Sequence, residues 1–250
     1  MAVFEKDYAT YYDMLYKNKK YDVEADYVSN LLKKAGINGN ELLDVGCGTG
    51  KHLACMKAKG FSVNGVDMSQ NMIEKARVAL GDDVELQVAE ACSFSFNKKF
   101  SAITSLFHVM SYLTETNDVV SAFKNISIHL KEGGLFVFDF WHGAGCLTDF
   151  PKTKVLRLED DNCSLMRITE PVMHPEKNVI DVNFEVHLMN KTTGKHSVIH
   201  ETHNMRYFFL PELEYYLNQA GFKVLNAYKW LTDQRLDFNA WYGVIVAIKQ

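Results

Sequence analysis

Apolar and polar positions follow two different periods along the chain. In residues 21–34, Tyr27, Val28, Leu31 and Leu32 fall three to four apart, the spacing of one helix face, and Gly36 supplies a stop. Upstream, Tyr8, Tyr11, Tyr12, Leu15 and Tyr16 repeat that spacing within residues 4–16, before a basic break at residues 17–20. From residue 42 onward, short apolar runs alternate with helical patterns. Strands are expected over residues 42–45, 61–66, 84–88, 101–106 and 135–140, and helices over 50–59, 69–80 and 114–131. Ser69 is placed to cap the second of these helices, with Met72, Ile73 and Ala76 inward. Such alternation predicts a parallel sheet with helices on both faces.

The texture changes after residue 150. Residues 154–208 show no helical period; extended segments are separated by turns near residues 160–162 and at Thr193-Gly194. Period-two alternation across such turns predicts an antiparallel meander. The first pattern then resumes, with a helix over 210–220 and strands over 222–227 and 242–249. The expected organisation is one domain from residues 1–150 and 207–250, beginning with a helical lid. Residues 151–206 form an inserted antiparallel sheet that serves a substrate or a dimer.

Composition narrows the class. With 250 residues, 47% of them hydrophobic, the chain has ample apolar mass for a core. A net charge of −4 and lysine runs no longer than a few residues argue against a nucleic-acid partner. The five cysteines form no CxxC pair and read as reduced thiols of a cytoplasmic protein, not as a disulfide or zinc framework. No apolar run is long enough to span a bilayer, and the first residues lack a signal-peptide core.

The candidate chemistry starts at residues 41–52, ELLDVGCGTGKH. An apolar strand runs into Gly46, Gly48 and Gly50 and then into a helix, the layout of a cradle for a nucleotide-like ligand. The GxGxG spacing is not the GxGxxG of a dinucleotide fold, and no GKS or GKT follows for a P-loop. Asp67 ends the second strand, where a carboxylate accepts hydrogen bonds from ribose hydroxyls; Glu90 ends the third, where it faces an adenine amino group.

These segments, with Gly65-Val66-Asp67-Met68-Ser69, resemble the class I S-adenosylmethionine-dependent methyltransferases. The resemblance implies an α/β fold: a Rossmann-like, doubly wound, seven-stranded sheet with the last strand antiparallel. To this the chain adds its inserted antiparallel sheet and N-terminal helices. It also implies S-adenosyl-L-methionine as cofactor, bound by Tyr12, Tyr21, Gly46, Cys47, Gly48, Asp67, Met68, Glu90, Ala91 and Leu106. Ala89-Glu90 departs from the Gly-Asp common at the adenine corner of that family. A narrower resemblance, carried by residues 11–28, 99–113 and 129–141 and by the late insertion, is to bacterial N-methyltransferases acting on nucleotide-linked amino sugars. It implies a small-molecule acceptor, a nucleotide sugar among the candidates, and a monomer or homodimer; the charge balance and the short apolar runs argue for neither a nucleic-acid nor a membrane partner. Glycine- or sarcosine-type N-methyltransferases share several traits, and a non-catalytic cofactor-binding module is the alternative from another class.

Methyl transfer from a sulfonium is an in-line displacement, so the protein chiefly orients an unprotonated nucleophile and excludes water. Candidate catalytic residues near strand ends are His108, Tyr112 and His142; Trp141, His203 and Arg206 are candidates for the acceptor. His129 is expected on a helix surface, and His52 beside the glycine turn as packing. No metal-ligand spacing is evident.

Overall fold

A computed structural model describes residues 14–250; Tyr8, Tyr11 and Tyr12 lie outside the described residues. The alternating half of the chain folds as its pattern predicts. Helix α1 (Tyr21–Lys34) leads into β1 (Glu41–Val45), α2 (Lys51–Ala58), β2 (Ser62–Asp67), α3 (Gln70–Leu80), β3 (Leu86–Val88), β4 (Phe100–Ser105) and α4 (Thr116–His129). The Ser69 hydroxyl accepts the Met72 N–H at 3.4 Å, capping α3. Strand β5 (Leu130–His142) is longer than expected, because backbone pairing begins before Gly133-Gly134. A short helix α5 (Gly143–Thr148) follows, with no signal in the apolar pattern.

The meander is present as β6 (Lys154–Glu159), β7 (Cys163–His174), β8 (Val179–Asn190) and β9 (His196–Phe208). Helix α6 (Leu210–Gln219), β10 (Phe222–Lys229) and β11 (Tyr242–Lys249) close the chain. The seven-stranded order is β3-β2-β1-β4-β5-β11-β10, with β11 antiparallel to both neighbours. Apolar clusters fill both faces. Phe123, Phe136, Phe138 and Leu217 pack on the α4/α6 side; Val28, Leu53, Ile73 and Val137 pack on the α1/α2/α3 side. No helix among the described residues is long and apolar enough to cross a membrane. All five cysteines are free.

The insertion is joined to the central sheet. Pairing of β4 with β5 ends at Ser105 and Phe138. The end of β5 then pairs in parallel with β9, Trp141 opposite Tyr207 and His142 opposite Phe208. One surface of the insertion packs Leu165 and Val186 against Met72 of α3. The expectation for His129 needs correction: it is buried at the end of α4, where Nδ1–H donates to the Asn125 carbonyl and Nε2 accepts the Phe96 N–H. Its two bonds satisfy backbone groups that the helix period does not reveal.

Candidate active site

The carboxyl ends of the parallel strands converge where the strand order reverses between β1 and β4, the edge at which open α/β sheets bind ligands. Gly46, Gly48 and Gly50 all hold positive φ after β1. A Cβ on Gly46 would lie 2.5 Å from both Val109 methyls, whereas one on Gly48 meets nothing within 4 Å. The turn is thus tight beneath and open above, as a backbone surface for a ligand must be. Cys47, between them, is buried, and burial pushes its thiol well up.

Asp67 is clamped to this turn. Its Oδ2 accepts the Gly48 N–H at 2.8 Å and its Oδ1 accepts the Ser69 N–H at 2.9 Å. Burial raises the carboxyl's pKa, and the two N–H bonds oppose that shift. Each oxygen keeps a further lone pair, so a ribose diol fits without loss of the clamp. Met68 beside it is 57% exposed, a flat apolar surface at the same edge. Glu90 is exposed just past β3, Ala91 half-buried next to it. Leu106 is buried in the cluster with Leu42, Cys47 and Val137, so its side chain is core.

Beneath the turn lies a charged layer that sequence reasoning used only in part. Asp44 is buried and accepts the Thr104 hydroxyl at 2.7 Å. Burial, joined by Asp67 and Asp139 and opposed by His52 and the Thr104 bond, raises its carboxyl to about 6. His52 Nε2 lies 2.7 Å from Glu24, which also pairs with Lys19. Burial would raise Glu24, but those two partners outweigh it and hold it below the usual range. Tyr21 sets its ring edge-on to His52, with Lys19 and Lys51 over its face.

Two left-handed residues in succession, Phe107 and His108, end β4. The His108 N–H donates to Asp139 Oδ1 at 3.0 Å, and His108 Nδ1 lies 2.6 Å from Asp139 Oδ2. Asp139 is buried, which would raise its pKa; the charge and hydrogen bonds of His108 outweigh burial and lower it. The His108 ring also stacks on Tyr242 at 4.6 Å. The signal for Asp139 was the single carboxylate in the otherwise apolar run LFVFDF.

A short 3-10 turn, Val109–Tyr112, follows His108. Its Ser111 hydroxyl accepts the Trp141 N–H at 3.2 Å, and the Tyr112 Oη lies 2.7 Å from His203 Nδ1. His203 Nε2 is 3.4 Å from Glu201, a residue no sequence pattern singled out. Burial, with Tyr16, Glu201 and Asp67 nearby, raises the Tyr112 phenol, so it stays protonated. Trp141 packs on Trp241, and its buried Nε1 has no hydrogen-bond partner among the described residues.

The structure therefore brings Asp67, the glycines, His108, Tyr112, Trp141 and His203 to one edge. His142 and Arg206 are placed otherwise. Strand alternation turns His142 to the opposite face from Asp139, where Nδ1 bonds the Ala240 carbonyl at 3.0 Å and burial lowers its pKa. Arg206 is committed to the Thr114 carbonyl, the Thr116 hydroxyl and Tyr216, with its plane over Phe208. It is an anchor between β9, α4 and α6.

Residues 42–134 match the family described as methyltransferase domain. The chain is 28% identical over 225 residues to the dTDP-3-amino-3,4,6-trideoxy-alpha-D-glucopyranose N,N-dimethyltransferase of Streptomyces venezuelae, covering 89% of this chain and 92% of that one. It is 25% identical over 231 residues to the dTDP-3-amino-3,6-dideoxy-alpha-D-glucopyranose N,N-dimethyltransferase of Streptomyces fradiae, covering 89% and 86%. Among solved structures, Streptomyces venezuelae DesVI superposes with a TM-score of 0.82 at 25% identity, over 99% of this chain and 100% of that one. With the GxGxG turn, the clamped Asp67 and the antiparallel last strand, these matches place a methyltransferase domain at residues 42–134, within the fold of S-adenosylmethionine-dependent methyltransferases.

Proposed function

We propose that the protein methylates the amine of a nucleotide-linked amino sugar. The observation that carries this reading is the 2.7 Å contact between Tyr112 and His203. It joins the cofactor edge to the inserted sheet and fixes a hydroxyl between the two. The relatives named for amino-sugar nucleotides, similar over nearly the whole chain, support the same acceptor class. We place the activity in the cytoplasm, with neither nucleic acid nor membrane as partner.

S-adenosylmethionine, held by the glycine turn and Asp67, supplies an electrophilic methyl when bound. The chain's own residues then have three tasks. Glu201 beside His203 Nε2 favours the tautomer with the proton on that nitrogen, leaving Nδ1 as an acceptor. Tyr112 donates its proton to Nδ1, and its oxygen accepts an amine N–H and so aims the nitrogen lone pair. His108, its Nδ1 held 2.6 Å from the Asp139 carboxylate, is the residue assigned to take, at Nε2, the proton an ammonium acceptor must lose. Trp141, its ring 6.4 Å from that of His108, walls the site from water.

The test is a methylation screen read by mass spectrometry. It compares amino-sugar nucleotides, the matching hydroxy-sugar nucleotides and phosphate-free amines including glycine. Methyl addition confined to the amino-sugar nucleotides is expected. Methylation of glycine or the hydroxy sugars instead would reject this acceptor, and cofactor binding with no transfer to any of them would favour a binding module.

A further inference from the structure

The inserted sheet presents one face to the site, and its register says which residues stand there. Arg167 lies opposite Val186, Phe184 opposite Glu201, and Val182 opposite His203. Alternation therefore puts Arg167, Phe184, Glu201 and His203 on the face that packs on α3. The contacts run in a line. Tyr112 meets His203, the His203 ring is 4.9 Å from Phe184, and the Arg167 guanidinium lies 4.6 Å over that same Phe184 ring.

Arg167 differs from the other arginine that the sheet buries. Arg206 spends its guanidinium on three hydrogen bonds and a carboxylate neighbour. Both arginines leave Nε buried without a hydrogen-bond partner, but Arg167 is half-buried and, among the described residues, no hydrogen bond or ion pair reaches the rest of its guanidinium. A cation drawn out of water without an anion is costly. A planar fork stacked on an aromatic ring has its nitrogens set in position for a bidentate oxyanion. Lys154, across from Thr169 on the edge strand, adds a second cation at the rim of the same face.

We infer that Arg167 is the contact for the acceptor's diphosphate and so sets specificity for a phosphorylated acceptor over a plain amine. This rests on the amino-sugar reading above. An amino-pyranose would lie along His203 and Phe184, its amine at the Tyr112 hydroxyl and its anomeric diphosphate at the guanidinium. The inserted sheet then measures the acceptor, and the phosphate end is read on a different strand from the reacting end.

The experiment titrates thymidine diphosphate and, separately, inorganic pyrophosphate into wild type, Arg167→Lys and Arg167→Ala. S-adenosylmethionine binding serves as the control for folding. Loss of a charged bidentate contact should weaken thymidine diphosphate binding about tenfold or more in Arg167→Ala, with partial retention in Arg167→Lys. Cofactor affinity should hold in both. Steady-state kinetics should show KM rising for an amino-sugar nucleotide with kcat little changed, and no effect with a phosphate-free amine. Equal thymidine diphosphate binding by wild type and Arg167→Ala, with cofactor binding intact, overturns the inference. So does a wild type that methylates amines but binds neither phosphate probe, and that result leaves methyl transfer standing. Arg167-dependent phosphate binding with no amine methylated would instead remove the proposed function and keep the anion site.

Discussion

Asp67→Asn is the sharpest perturbation of the cofactor edge, because the structure gives both carboxylate oxygens a backbone donor. Gly48 N–H reaches Oδ2 at 2.8 Å and Ser69 N–H reaches Oδ1 at 2.9 Å. An amide has one acceptor oxygen, so its NH2 must face one of these donors. One hydrogen bond to a charged group is lost, about 1.5–3 kcal/mol, partly offset because a neutral side chain avoids the burial that raises Asp67. A net loss of about 1–2 kcal/mol corresponds to a melting temperature lower by roughly 2–8 °C for a chain of this size. A ribose diol loses one charged acceptor as well, which is about 10- to 100-fold in S-adenosylmethionine affinity. Thermal denaturation and titration calorimetry with S-adenosylmethionine, on the same preparations, read the two effects separately. Affinity within about twofold of wild type, with a lowered melting point, would leave Asp67 as a turn clamp and refute its ribose role; no change in either would refute both.

The remaining predictions separate neighbouring groups. Gly46→Ala puts a methyl 2.5 Å from Val109 at φ +77, so strain and overpacking together should cost about 2–5 kcal/mol in urea denaturation. Gly48→Ala, at φ +54 with nothing within 4 Å, should cost only about 1–2 kcal/mol yet obstruct the open side of the turn and weaken cofactor binding; the reverse order would contradict the geometry. Asp44, raised to about 6 from an ordinary 3.8, binds its proton more tightly folded than unfolded. Its contribution to stability should fall as pH rises from about 4 to about 6, by about 3 kcal/mol in all. Asp44→Asn, which keeps an acceptor for Thr104, should abolish that slope, and identical slopes in both proteins would show that Asp44 ionises freely.

What the sequence disclosed follows the range over which each signal acts. The strand, glycine turn and helix around Gly46 are local, and so is the Ser69 cap; both are read from a few neighbouring residues. The meander was legible because its turns break period-two runs. Pairings between distant segments were not. Tyr112 and His203 are 91 residues apart, and Asp139 reaches His108 across 31. The arginines show a signal that was present but unused. His203 and Arg206 are an odd number of positions apart on one strand, so alternation alone separates their faces. Placing Arg167 with His203 requires the register of β7, β8 and β9, which no single strand carries.

The left-handed pair at Phe107 and His108 explains why the two halves of the site meet. Had β4 continued, it would have kept its place beside β5 beyond Phe138, and β9 could not have paired with Trp141 and His142. Two non-glycine residues at positive φ cost about 1–2 kcal/mol each. The His108 N–H bond to Asp139 and the ring contact beside it offset that strain, with charge-assisted bonds worth about 1.5–3 kcal/mol. The buried anion in β5 thus holds the bend that ends β4. The bend surrenders the β5 edge to the insertion, and the insertion brings His203 to Tyr112 and Arg167 to the same face. Replacing Asp139 would therefore act on both ends of the proposed acceptor site, although Asp139 lies in the strand core and reaches that site through His108. Strain at a functional edge is commonly carried by the structure around it; in this chain the carrier is one carboxylate.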